Sequence, residues 1–188
     1  MCIRDRGKAL SAVKINEAEE KMLRSYSLLT LKPRICVLNI GEDRIQDPPD
    51  APGVQPAPIP ICAELEMEIM QLDEDERQIF LEDAGLQEPA GGKIIRECYA
   101  RLGLISFFTH VSGQLRAWTV EAGASAPRAA GKVHSDMEQG FIRAETISLA
   151  DLLECGSIKE AKAQGKVRMH GRDYQVQDGD VITFHFSR

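Results

Sequence analysis

No apolar run in this sequence is long enough to span a bilayer. Met1–Leu10 has charges but no apolar core behind them, so no secretory leader is expected. There is no CxxC pair; the five cysteines, at 2, 36, 62, 98 and 155, are scattered and odd in number. That pattern suggests neither a zinc ribbon nor a redox motif, and predicts reduced, mostly buried thiols in a cytoplasmic protein. His110, His170 and His185 have no metal-ligand spacing, so no metal site is expected. No Gly-x-x-x-x-Gly-Lys-Ser/Thr occurs. The amide cradle, the phosphate lysine and the magnesium hydroxyl of that loop are therefore missing from these residues. No internal repeat is visible.

The 188 residues are 43% hydrophobic and 28% charged, ordinary values for a globular protein. The net charge of −6 is uneven. Residues 1–103 hold 13 Lys/Arg against 19 Asp/Glu, and residues 104–188 hold 10 of each. Acid is densest from Ile61 to Ala90, with ten carboxylates against Arg77 alone. That segment should avoid nucleic acid, whereas the neutral C-terminal part can present a basic face. Met1–Arg6 has no helical or strand logic and is expected to be a junction outside the fold.

Glu17–Leu29 reads as a helix with Met22, Tyr26 and Leu29 on its apolar face, ending before Pro33. Arg34–Ile40 reads as a buried parallel strand. Asp43–Pro60 holds six of the nine prolines and reads as a loop, with Pro58–Cys62 a second short strand. Ala63–Leu72 is predicted helical. A second helix starts at Asp73, with Glu76 completing a capping box, and stops at Gly85; a third, Lys93–Leu102, stops at Gly103. Thereafter Leu104–Val111, Gln114–Val120, Phe141–Ile147 and Val181–Phe186 read as strands, Ala126–Met137 and Ser157–Gln164 as helices, and Tyr174–Val176 as a short strand before the Gln177–Asp180 turn. Hairpin, helix, strand, short helix, strand is the order of a β-grasp fold. The expected class is α+β, a β-grasp domain over 104–188 preceded by a helical segment and a remnant of an α/β nucleotide-binding domain over 1–103.

Asn39-Ile40-Gly41-Glu42 follows the first predicted strand, at the edge where open α/β sheets bind ligands. The amide can donate and accept, and the carboxylate can accept from ring or exocyclic N–H groups, so the pair can read a purine edge; the same spacing also makes an ordinary turn. The run Ser25–Glu42, SYSLLTLKPRICVLNIGE, resembles the stretch of YchF-type (Obg-like) ATPases that ends in their base-recognition motif, N-x-x-E. The resemblance continues through Leu72–Pro89, Arg116–Val120, Ala126–Asp136, Gly140–Glu145 and Asp173–Val181, covering about residues 20–188. Most GTPases have N-K-x-D at the first of these places, so the likeness implies a site that prefers or tolerates adenine.

The resemblance implies that Asn39, Ile40 and Glu42 contact the base, with Cys62 and Ala63 in the next base-contact loop; a buried thiol is the alternative for Cys62. It implies a TGS domain, ATP or GTP with Mg²⁺ in the full-length family, and the ribosome, its large subunit or its RNA, as partner of a monomeric, cytoplasmic protein. No tight nucleotide binding and no catalytic residue are expected here, because the phosphate loop is missing. A helix that the family has between its base motif and the next strand is replaced by the Pro-rich segment. The alternative is a stand-alone ribosome- or RNA-binding module without nucleotide function. Arg128 and Lys132 lie at i, i+4, and with Arg143 they are the expected nucleic-acid contacts; Lys162, Lys166, Arg168 and Arg172 can extend the surface. His134 is expected to cap a helix end and Trp118 to pack in the core. A ubiquitin-like carrier is disfavoured by the ending FHFSR, which lacks Gly-Gly.

Overall fold

The computed structural model describes Leu10, residues 13–111 and residues 114–187. Met1–Arg6 falls outside the described residues. The chain divides into two compact units, Met1–Arg101 and Leu102–Arg188. The class is mixed α+β.

In the first unit, helix α1 spans Glu17–Arg24. Its start is fixed by a reciprocal cap: Glu19 N–H donates to Asn16 Oδ1 and Asn16 N–H to Glu19 Oε2, both at 2.9 Å. It is shorter than expected. Ser27 takes a positive φ of 47° and breaks the helical path, so Tyr26 and Leu29 lie beyond the helix. The expected apolar face does not form. Met22, Tyr26 and Leu29 are 75%, 72% and 79% exposed. Strand β1 is only Val37–Asn39 and pairs in parallel with β2, Ile59–Ile61. With a single neighbouring strand it is not buried on both faces, and Val37 is exposed. The Pro-rich stretch between the strands is irregular, as its missing amides dictate.

Helix α2 spans Ala63–Gln71 and α3 Glu74–Asp83. The predicted Asp73/Glu76 capping box forms, with Glu76 N–H donating to Asp73 Oδ1 at 3.0 Å. Leu65, Ile69, Leu81 and Cys62 make the core of this unit, with Ile45 and Phe80 packed against it. Helix α4, Ala90–Leu102, begins three residues earlier than its sequence pattern suggests. The cause is distant in sequence: Glu66 Oε1 of α2 accepts the Ala90 N–H at 2.7 Å, satisfying an amide of the first turn.

The second unit is a five-stranded mixed sheet. Its strands are β3 (Leu104–Val111), β4 (Gln114–Glu121), β5 (Phe141–Ser148), β6 (Arg168–His170) and β7 (Asp180–Phe186). The order is β4-β3-β7-β5-β6, with only the β3–β7 pair parallel. Helix α5, Ala126–Val133, covers one face. Ala126, Ala129 and Ala130, at i, i+3, i+4, have no exposed surface and let the helix backbone approach Phe107, Val120, Phe141 and Ile182. The predicted single helix is in fact two. His134 is extended (φ −161°) and separates α5 from α6, Ser135–Gln139, whose Asp136 N–H it caps through Nδ1 at 3.2 Å. Trp118 packs on the core and donates Nε1–H to Thr109 Oγ1 at 2.9 Å, the structural role expected of it.

The opposite face is partly covered by α7 (Leu149–Cys155) and α8 (Ile158–Ala163), through Cys155 and Ala161 against Ile147 and Val181. Tyr174–Val176 makes a single bridge, Ser125 to Gln175, rather than a strand. The Gln177–Asp180 turn is fastened by its own carboxylates. Asp180 Oδ2 accepts from Tyr174 Oη (2.7 Å) and Gln177 N–H (2.9 Å), and Asp178 Oδ1 accepts from Ser106 N–H (2.8 Å). Burial first, and then the bond to Asp180, pushes the Tyr174 hydroxyl up to about 12. Gly179, at φ +80°, makes the sharp turn and donates its N–H to Ser106 O at 2.8 Å.

Where α6 meets β5, a Cβ on Gly140 would overlap the Ser187 carbonyl oxygen, while Ser187 N–H donates to Gly140 O at 2.9 Å. Backbone must move to admit a methyl group. Gly140→Ala is therefore expected to destabilise the second unit by about 1–3 kcal/mol in urea unfolding, with Gly171→Ala, where a Cβ meets nothing within 4 Å, as the neutral control.

Candidate functional site

Parallel pairing places the C-terminal ends of β1 and β2 side by side, with Val37 opposite Ile59 and Asn39 opposite Ile61. The two loops that follow must then leave from the same edge. Ile40 N–H donates to Ile61 O at 2.8 Å and extends the ladder by one bond. Asn39 Oδ1 accepts the Ala63 N–H at 3.0 Å, tying the first loop to the start of α2. Asn39, Ile40, Cys62 and Ala63, widely separated in sequence, are thus brought together. The Asn39 side-chain N–H₂ has no partner among the described residues and is exposed.

Glu42 opens a 3₁₀ turn, Glu42–Arg44, and its side chain is exposed without a bonded partner among the described residues. The Cys62 side chain points into the core with Leu65 and Ile69, so it faces the loop only through backbone. The arrangement leaves one amide donor, on Asn39, and one carboxylate acceptor, on Glu42, in the loop that follows β1.

Two residues that position this loop are not evident from the sequence. Ile45, the single apolar residue of the run DRIQD, packs against the α2–α3 core. Gln46 donates Nε2–H to Ala84 O at 2.8 Å, tying the loop to the end of α3. Only the isolated apolar Ile45 gives a sequence signal.

The three expected nucleic-acid contacts do not form one patch. Arg128 and Lys132 share the exposed face of α5, and both reach Glu121, at 3.2 and 4.0 Å. The Glu121 carboxyl is held below the usual range, first by a backbone hydrogen bond at its own position and then by the Arg128 guanidinium. Arg143 is opposite His185 on β5–β7, next to Ala144 and Phe184, which belong to the α5-side core. Side chains alternate along a strand, so Arg143 projects to the face away from α5. Lys166 is bound by Glu154 (2.7 Å) and Asp151 (3.0 Å), and Arg172 donates to Phe141 O at 3.0 Å. Arg168 is exposed and makes no ion pair among the described residues.

On that same face, away from α5, Glu145 binds Lys162 Nζ of α8 at 2.6 Å and His185 Nε2 at 3.1 Å. Among the described residues no group of three His, Cys, Asp or Glu could hold a metal ion, and no helix is long and apolar enough to cross a membrane.

Residues 104–187 match the family YchF-GTPase_C, described as "Protein of unknown function (DUF933)". The "Ribosome-binding ATPase YchF" of Bacillus subtilis is 42% identical over 190 residues, covering 96% of this chain and 52% of the relative. The protein of that name from Haemophilus influenzae is 40% identical, with coverage of 95% and 51%. The chain belongs to the YchF family. The "Obg-like ATPase 1" of Caenorhabditis elegans is 39% identical, covering 92% of this chain and 46% of the relative. Among solved structures, the Schizosaccharomyces pombe YchF GTPase superposes with a TM-score of 0.81 at 25% identity, over 96% of this chain and 50% of that one. The chain spans about half the length of the relatives it matches, and corresponds to the C-terminal part of YchF.

The Glu145 cluster gives a pH test. The Lys162 ammonium first, with His185 adding to it, holds the Glu145 carboxyl below its ordinary value of 4.5, against a smaller opposing effect of burial. A depressed carboxylate adds stability that is full above that value and is lost as pH falls through the folded-state pKa. Glu145→Gln should therefore cost about 1 kcal/mol at pH 7, and the difference should vanish in unfolding measured below that folded-state pKa. A difference that persists there would assign the effect to packing.

Proposed function

We propose that this chain provides the base-reading edge and the ribosome-facing module of a YchF-type ATPase. In this reading residues 1–103 are the C-terminal remnant of a P-loop nucleotide domain, and residues 104–188 are a TGS domain of β-grasp type in a cytoplasmic protein. The observation that carries it is the bond from Ala63 N–H to Asn39 Oδ1, which joins the N-x-x-E loop to the next loop at one sheet edge. The named relatives support it: those from B. subtilis and H. influenzae are called ribosome-binding ATPases.

Asn39 and Glu42 would read the base edge of ATP or GTP, and Ile40 and Ala63 would line it. A bound nucleotide with Mg²⁺ supplies the phosphoryl chemistry, for which these residues have no phosphate cradle. The chain's own part is to hold and orient the base. A few hydrogen bonds to amide and charged groups contribute only about 2–4 kcal/mol, which corresponds to millimolar binding at best.

For the ribosome, the structure adds Glu121 to the reading. It occupies Arg128 and Lys132, which would otherwise be free for phosphates. Glu121→Gln should strengthen ribosome cosedimentation of this chain by about two- to tenfold and steepen its salt dependence. Arg128→Glu with Lys132→Glu should weaken it and flatten that dependence. Ribosome binding unchanged by either variant, with circular dichroism intact, would contradict α5 as the contact surface.

A further inference from the structure

The outer face of α2 carries an apolar stripe inside an acidic field. Leu65 and Ile69 turn inward, at 4% and 1% exposure. With 100° between successive residues, Met67 then points directly away from the core. Ala63 and Met70 flank it on one side, Glu64 and Glu68 on the other. Met67 and Met70 are 62% and 80% exposed. Glu64 and Glu68 are exposed and make no hydrogen bond or ion pair among the described residues. On α3 the acidic field continues through Glu74, Asp75, Glu76, Glu82 and Asp83, with Ile79 also exposed.

The one cation of α2 and α3 is already engaged. Arg77 donates to the Ile69 and Leu72 carbonyls, at 3.4 and 3.1 Å, and pairs with Glu74 at 3.2 Å. It closes the α2–α3 turn and leaves Glu64 and Glu68 of the outer face uncompensated.

An acidic surface alone is a solvated face. Two adjacent exposed methionines at i, i+3 change its chemistry, because unbranched thioethers adapt to varied apolar shapes. The negative field excludes nucleic acid. It also opposes a second copy of the same face, which would set carboxylate against carboxylate. Its complement is an apolar ridge flanked by lysine and arginine. We infer that the Met67–Met70 face of α2 docks a basic amphipathic helix of a partner protein. The inference uses neither Asn39 and Glu42 nor the cations of α5, so its test is independent of the base-reading and ribosome-binding proposals.

The test uses the full chain with ¹³C-methyl-labelled methionine. The probe is a synthetic lysine–leucine peptide with leucines at i, i+3, i+4, i+7 spacing, beside a scramble of the same composition. The Met67 and Met70 methyl signals should shift on addition of the patterned peptide, and those of Met137 and Met169 should not. Met67→Gln with Met70→Gln, and separately Glu64→Gln with Glu68→Gln, should each weaken binding by about tenfold. Asp47→Asn with Asp50→Asn should leave it unchanged. All these positions are exposed, so circular dichroism is expected to remain native. Absence of binding, equal binding of the scramble, or affinity unmoved by the methionine variants would overturn the inference. Shifts of Met67 that grow with protein concentration alone would overturn it in favour of self-association.

Discussion

The proposed base-reading edge depends on one constraint, the parallel register of β1 with β2. Two three-residue strands running the same way must release their loops at the same end. Had they been antiparallel, Asn39 and Ala63 would lie at opposite ends and the bond between them could not form. The register is secured by the Ile40–Ile61 bond beyond the strands and by the Asn39–Ala63 bond at the tip. From Ala63 the chain enters α2, whose inner residues build the core that receives Ile45 and so holds the Glu42 turn. The short sheet, the acidic helices and the candidate site are therefore one mechanical piece.

The second unit rests on a different device. Three fully buried alanines on α5 allow a helix to lie close on a sheet with Phe107, Phe141 and Phe184 meeting edge to face below it. Its polar turn is fastened by Asp178 and Asp180 rather than left to solvent. Each unit has its own buried cluster. Arg128, Lys132, Lys162 and Lys166 of the second unit are paired with neighbouring carboxylates, which makes salt and charge reversal informative about any phosphate-binding surface.

Much of this was legible in the sequence where local chemistry decides. Leu104–Val111 is rich in apolar, aromatic and β-branched residues and is a strand over those same residues. Asp73 with Glu76 writes its own helix start. What escaped depends on contacts distant in the chain, or on a break that leaves the pattern intact. Val133 and Met137 both pack on the core, so their spacing runs unbroken through the extended His134, and one helix is read where there are two. Helix α7 follows β5 without a turn, its Ser148 cap hidden in the strand's polar alternation. Arg168–His170 is a three-residue edge strand with two exposed positions, and its pairing with β5 leaves no apolar trace. The candidate site residues Asn39 and Glu42 stand in a family motif, whereas Gln46 and Glu66 act through partners 38 and 24 positions away, and nothing in their neighbourhood marks them.

The central claim is that the β1–β2 edge reads a base without help from a phosphate cradle. Amide NMR of the ¹⁵N-labelled chain, titrated with adenosine at millimolar concentration, tests it most directly. The Ile40 and Ala63 amides should shift with adenosine, more weakly with guanosine, and not at all in Asn39→Ala, whose remaining spectrum should stay native. Amides at this edge that do not move, or that move equally in Asn39→Ala, would contradict the account.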